Sequence, residues 1–299
     1  MKMYYIDAKQ ILSGYAENNR WFGLNYNMNL YKGCSHGCIY CDSRSECYGV
    51  KNFDSVRAKR NALDILNKEL KSKRKKGVIG IGAMSDTYNP FERNLNLTRG
   101  ALELINRYGF GISIATKSDL ILRDIDILKK ISNHSPVLIK ITITTFHDSL
   151  CRKVEPNVVP SSNRFEAIRK LTSEGIFTGI LLMPVLPFIN DNEENIRFIV
   201  RKAKECGAKF IFAYGMGVTL RGNQREYYYE KISKLFPNEL LVKKYMDIYG
   251  EKYECPSLEY KKLWDIFKNE CERCGILYKM NDIINAYRKD YEETQISLF

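Results

Sequence analysis

The 299-residue sequence has no apolar run long enough to cross a bilayer. Its most apolar stretch, residues 179–189, is interrupted by Pro184 and Pro187. The opening Met-Lys-Met-Tyr-Tyr-Ile-Asp lacks the apolar segment of a secretory leader, so a cytoplasmic protein with no membrane partner is expected. Low-complexity segments are absent. Histidine is scarce, with three in all: His36 reads as a loop residue, and His134 and His147 form no ligand pattern. Acids are in deficit, 35 against 47 lysines and arginines, and the net charge of +12 favours a polyanionic partner such as nucleic acid. The nine cysteines are odd in number and clustered. Without a leader, they point to metal binding in a reducing compartment rather than to disulfides.

The densest cluster is Cys34-Ser-His-Gly-Cys38-Ile-Tyr-Cys41, spaced C-x3-C-x2-C. Three thiolates this close can wrap one side of an iron–sulfur cluster and leave one iron open for chemistry. Gly33 and Gly37 remove Cβ atoms where the loop turns against inorganic sulfur. Zinc is the rival occupant, but the spacing is uncommon for zinc and no fourth ligand is adjacent.

Around this loop the chain alternates. Residues 1–27 read as an N-terminal arm in which Arg20-Trp21-Phe22-Gly23 packs on the barrel or touches a substrate, packing being preferred. Strands are predicted at 28–30, 78–84, 110–116, 137–144, 176–183 and 209–214. Helices are predicted at 53–73, 98–108, 123–133, from a Ser162 cap to Gly175, and at 192–206. Such alternation means parallel βαβ units. Six of them give an α/β fold, an incomplete (β/α)6 TIM-like barrel over residues 28–220. Residues 221–290 read as a helical C-terminal extension, with helices at 227–236, 239–249, 257–272 and 282–291, and 291–299 as a tail. The basic run 71–76 reads as a helix C-terminus, where cations complement the helix dipole, in preference to a nucleic-acid patch.

Polar residues end strands that are otherwise core: Ser85 and Asp86, Thr116 and Lys117, Thr142 and Thr144. At the carboxyl ends of barrel strands they point into the mouth. Cys255, Cys271 and Cys274 would need Cys47 or Cys206 to complete a second metal site; otherwise they are helix cysteines. Cys151 is a candidate thiol donor or a core residue. Residues 221–229 interleave arginine with tyrosine, a composition that either grips phosphates and bases or packs against the barrel.

With Tyr40 before its last cysteine, the triplet resembles the radical S-adenosylmethionine (SAM) superfamily. Residues 80–90, 116–118, 123–124, 155–156, Arg164 and 184–191 together resemble its spore-photoproduct-lyase-related, DNA-repair-photolyase-like branch, over roughly residues 25–215. The resemblance implies a [4Fe-4S] cluster on Cys34, Cys38 and Cys41. It implies SAM contacts at Tyr40 (adenine), Ser85 and Asp86 (methionine moiety), Lys117 and Thr142. It implies a one-electron donor such as flavodoxin or ferredoxin, and reductive cleavage of SAM to a 5′-deoxyadenosyl radical that abstracts hydrogen from substrate. Two departures stand out: Ala83-Met84 occupies the place of the lyases' hydrogen-donor cysteine, and Asp42-Ser43-Arg44 replaces the tyrosines that follow their third cluster cysteine. The expected substrate is nucleic acid. The alternatives are a peptide or small-molecule substrate, or a non-catalytic metal-binding module. The ending Gln295, Ile296, Ser297, Leu298, Phe299 resembles the short peptide by which bacterial replication and repair proteins bind the sliding clamp. Docking on the chain's own barrel is the other use of that apolar end.

Overall fold

A computed structural model describes residues 4–15 and 21–291. Strands β1 (Tyr4–Asp7), β2 (Leu12–Gly14), β3 (Tyr26–Met28), β4 (Tyr31–Lys32) and β5 (Arg57–Arg60) precede helix α1 (Ala62–Ser72). The alternating part comes next: β6 (Val78–Ile81), α2 (Glu92–Leu95), α3 (Leu97–Arg107), β7 (Gly111–Thr116), α4 (Ile125–Ser132), β8 (Val137–Thr142), α5 (Asp148–Val154), α6 (Ser161–Ser173), β9 (Thr178–Leu182), α7 (Glu193–Glu205) and β10 (Ile211–Ala213). The chain ends in β11 (Gly217–Thr219), α8 (Gly222–Leu235), α9 (Leu241–Tyr249), β12 (Glu254–Pro256), α10 (Tyr260–Cys274) and α11 (Met280–Arg288).

The main sheet runs β10-β9-β8-β7-β6-β3-β2. Its six strands from β3 to β10 are parallel, and β2 alone is antiparallel. The sheet does not close, so the fold is the incomplete α/β barrel expected. β7 and β8 are almost wholly buried, as strands covered on both faces must be. The helices lay Leu66, Leu102, Ile105, Leu128, Ile168 and Ile199 on the sheet in one continuous apolar core.

Several segments differ from expectation. The arm is not a lead-in: β2 extends the main sheet, and β1 pairs with β5 beside β4 in a small separate sheet. The helix expected from residue 53 begins at Ala62. Val56 carried the earlier part of the helical pattern, but 57–60 pairs as a strand on both sides and Asn61, at φ 56°, turns the chain into α1. Ser162 lies inside α6 and binds Asp148 through its backbone N–H and its hydroxyl, at 3.0 and 2.6 Å. The extension is helical but not free of strands, because β12 pairs with β11 as a two-stranded ribbon. It is fastened elsewhere too: Tyr287 donates to the Phe22 carbonyl at 2.7 Å, and Leu277 bridges Phe210. No helix of the described residues is long and apolar enough to cross a membrane. The clamp-like residues 295–299 lie outside the described residues.

Candidate active site

The triplet loop leaves β4 and is stitched on two sides. The Cys34 amide donates to the Phe53 carbonyl at 2.8 Å. On the other side Ile39 N–H donates to the Val154 carbonyl (3.0 Å) and Asn157 N–H to the His36 carbonyl (3.1 Å). A Cβ on Gly33, at φ 81°, would sit 2.6 Å from the Phe53 and Ser55 carbonyl oxygens, so only glycine fits there. All nine cysteines are unpaired thiols. Cys34 and Cys38 are buried and Cys41 nearly so. Burial pushes the Cys34 thiol up to about 12 and raises those of Cys38 and Cys41. Thiolates in this place need an added positive charge, which iron supplies. Ser35 Oγ in the loop is buried without a protein partner. An all-sulfur donor set on a side-chain-poor loop therefore fits an iron–sulfur cluster.

Among the described residues, no three His, Cys, Asp or Glu side chains converge closely enough for a single metal ion. The cysteines of the second candidate site lie in different places: Cys255 packs among the tyrosines of the extension, whereas Cys206, Cys271 and Cys274 pack on the main core.

Two networks hold the loop. In the first, the Tyr40 hydroxyl donates to Glu155, whose other oxygen meets Arg164 Nη2 at 2.5 Å. Arg164 also donates to the Val159 and Thr142 carbonyls, at 2.9 and 3.0 Å, and to Cys151 Sγ at 3.3 Å. Burial raises the Glu155 carboxyl, but Arg164 and Lys117 outweigh it and hold it below the usual carboxylate range. Cys151 thus belongs to this network and is not part of a cavity wall. In the second, Asp86 accepts from the Tyr88 amide (2.9 Å), the Thr116 hydroxyl (2.7 Å) and the Lys117 amide (2.7 Å). It also lies 3.6 Å from His36 Nδ1. Asp86 ties the ends of β6 and β7 to the loop.

Tyr40, Cys41, Lys117 and Thr142 meet in one cavity of about 490 Å³ at the carboxyl ends of the strands. Ser85 and Asp86 are not among its lining residues: the Ser85 hydroxyl donates to the Tyr31 carbonyl at 3.1 Å, and Asp86 is engaged by Tyr88, Thr116 and Lys117. Trp21, Phe22 and Tyr214 also line it, and the β11–β12 ribbon, including Cys255, forms part of its wall. Ala83 lines the cavity as well. Sequence reasoning missed Lys140. Its Nζ donates to Ser113 Oγ at 2.7 Å and lies 4.5 Å from the Phe22 ring centre, and burial pushes it down to about 7. A lone lysine inside Val-Leu-Ile-Lys-Ile-Thr, a strand buried on both faces, is the signal that could have found it.

The Radical SAM superfamily model matches residues 28–199. An uncharacterized protein of Methanocaldococcus jannaschii is 30% identical over 233 residues, 75% of this chain and 84% of that protein. An uncharacterized protein of Mycobacterium bovis is 26% identical over 231 residues, 75% of this chain and 67% of that protein. Among solved structures, a point mutant of spore photoproduct lyase matches with a TM-score of 0.65 at 15% identity, covering 91% of this chain and 78% of that one. Spore photoproduct lyase complexed with dinucleoside spore photoproduct matches at 0.61 and 16%, covering 84% and 74%. These structures share the fold. With more than half its length matched, the chain belongs to the radical SAM superfamily, whose cofactors are a [4Fe-4S] cluster and SAM.

Proposed function

We propose that the chain is a radical SAM enzyme acting on nucleic acid, driven by single electrons from a carrier protein in the cytoplasm. One observation carries the reading: a single cavity meets the triplet loop at Tyr40 and Cys41, the polar strand ends at Lys117 and Thr142, and the aromatic rings of Trp21, Phe22 and Tyr214. Cys34, Cys38 and Cys41 would hold the cluster. Tyr40, Lys117 and Thr142 would face SAM, while Ser85 and Asp86 would position them from behind. When bound, the cluster and SAM together supply reductive cleavage of the sulfonium and a radical that takes hydrogen from substrate.

The chain's own residues orient and enclose. Glu155 and Arg164 fix the Tyr40 ring. Burial lowers the Lys117 ammonium, yet the Cys38 sulfur and the Glu155 carboxylate outweigh it and keep the lysine charged. Phe22 and the ribbon limit water in the cavity.

A nucleic-acid substrate is supported by the net charge of +12 and by Tyr214, 61% exposed on the cavity lining, where a base can stack. The fold likeness to a lyase complexed with a dinucleoside photoproduct agrees with it. Ala83 offers no S–H to the cavity, so the lyases' own repair route is not part of the proposal. The comparisons lend the sliding-clamp reading of Gln295–Phe299 no support.

The test is anaerobic purification, an iron and sulfide count, and addition of dithionite and SAM. About four irons per chain and release of 5′-deoxyadenosine are expected. Zinc, or SAM left intact although bound, overturns the enzyme reading. Deuterated DNA that passes no label to 5′-deoxyadenosine, where a deuterated peptide does, overturns the substrate.

A further inference from the structure

We infer that a basic cleft on the outer face of the triplet loop is the docking site of an acidic one-electron carrier protein. This rests on the reading of the triplet as a reducible cluster site. The loop has two faces. Its inner face, through Tyr40 and Cys41, borders the cavity at the strand ends. Its outer face is a second cleft of about 590 Å³, whose walls include Ser35, Gly37 and Ile39. These three residues lie between the cysteines: Ser35 and Gly37 between Cys34 and Cys38, and Ile39 between Cys38 and Cys41. A protein seated there is separated from the sulfur ligands by little more than the loop itself, and transfer of an electron falls steeply with distance.

The chemistry of the cleft selects the occupant. Arg152 and Lys153 on α5 and Lys231 on α8 line it. Asp148, bound by Ser162, also feels Arg152, and Glu230, bound by Lys234, also feels Lys231. The acid in the cleft wall, Asp54, is bound twice by Arg44, at 2.8 and 2.5 Å. Among the lining residues three cations thus stand against one acid that is already paired. The Lys231 ammonium lies 5.0 Å from the ring centre of Tyr227, and that of Lys153 5.4 Å from that of Phe236, so aromatic faces hold both cations in place without neutralising them. Pro156 and Leu235 add a small apolar centre. A small apolar centre with a charged rim suits a transient interface, in which charge steers encounter. The transfer it serves moves one electron and no atom: the carrier is oxidised by one electron and the metal site is reduced by one. Nucleic acid would also suit the charge, but as a substrate it belongs in the strand-end cavity, which shares no lining residue with this cleft.

The experiment uses flavodoxin as the acidic carrier and compares the wild-type holoenzyme with R152E/K153E/K231E, and with K71E/K75E as a remote charge control. Binding of oxidised flavodoxin is read by titration calorimetry at two salt concentrations. 5′-Deoxyadenosine formation is read with reduced flavodoxin and, separately, with dithionite. The triple variant is expected to bind flavodoxin about tenfold more weakly, with a flatter salt dependence, and to lose a similar factor in flavodoxin-driven turnover. Dithionite-driven turnover and the remote control should match wild type. Unchanged flavodoxin binding in the triple variant overturns the proposal, as does loss of oligonucleotide binding with flavodoxin binding intact. If dithionite yields no 5′-deoxyadenosine in wild type, the enzyme reading fails, and the calorimetry still decides the docking site.

Discussion

Two cations lie inside this barrel, and the chain treats them oppositely. Arg164 is fully buried and each nitrogen of its guanidinium has a partner: Glu155, two carbonyls and a sulfur. Lys140 is 3% exposed and has a serine hydroxyl and an aromatic face, with no carboxylate. The first is a strut. Through Glu155 it sets the ring of Tyr40, and through the Thr142 carbonyl it pins the end of β8. The second is a cost tolerated in the cavity lining, where the charge it carries depends on what lies beside it. Burial alone does not mark a residue as structural; the completeness of its partners does.

Breaking the strut should have the largest effect. Arg164→Met leaves Glu155 buried and uncompensated and should cost about 3–5 kcal/mol in urea unfolding; the E155Q/R164M double variant should cost less than the sum of its parts. Removing the unpaired cation should act in the other direction. In the fold Lys140 loses its proton at about 7 rather than at 10.5, so between those values the unfolded chain binds more protons and stability rises with pH. The penalty is therefore complete below pH 7. Lys140→Met should raise stability by about 2–4 kcal/mol at pH 6 and by progressively less up to pH 10, read from urea midpoints. A gain that does not vary with pH would show that packing, not charge, sets the cost. Asp86→Asn weakens three accepted bonds and should lower stability by about 2 kcal/mol, seen as a fall in thermal midpoint. Tyr40→Phe removes a single donor from the strut and should cost about 1 kcal/mol.

The sequence disclosed what local pattern encodes. The triplet needs only spacing and two glycines. The strands β6 to β9 are apolar runs between amphipathic helices, and both features are visible within ten or so residues. What stayed hidden depends on distant partners. Residues 57–60 become a strand because Tyr4–Asp7 and Tyr31–Lys32 flank them, and Glu254–Pro256 because Gly217–Thr219 lies opposite. The bond from Tyr40 to Glu155 spans 115 positions, and no periodicity reports it. For the same reason Ser85 and Asp86 were legible as polar strand ends, while their partners, the Tyr31 carbonyl for Ser85 and Tyr88, Thr116 and Lys117 for Asp86, were not.

The cavity walls have a consequence for redesign. The residues that the family model covers, 28–199, contain the triplet, Lys117 and Thr142. The walls opposite them, Trp21, Phe22, Tyr214 and the ribbon around Val218 and Cys255, lie outside that span on both sides. The cavity is thus assembled from two sets of residues, one within the matched span and one flanking it, and the flanking set can be substituted without altering the triplet, Lys117 or Thr142.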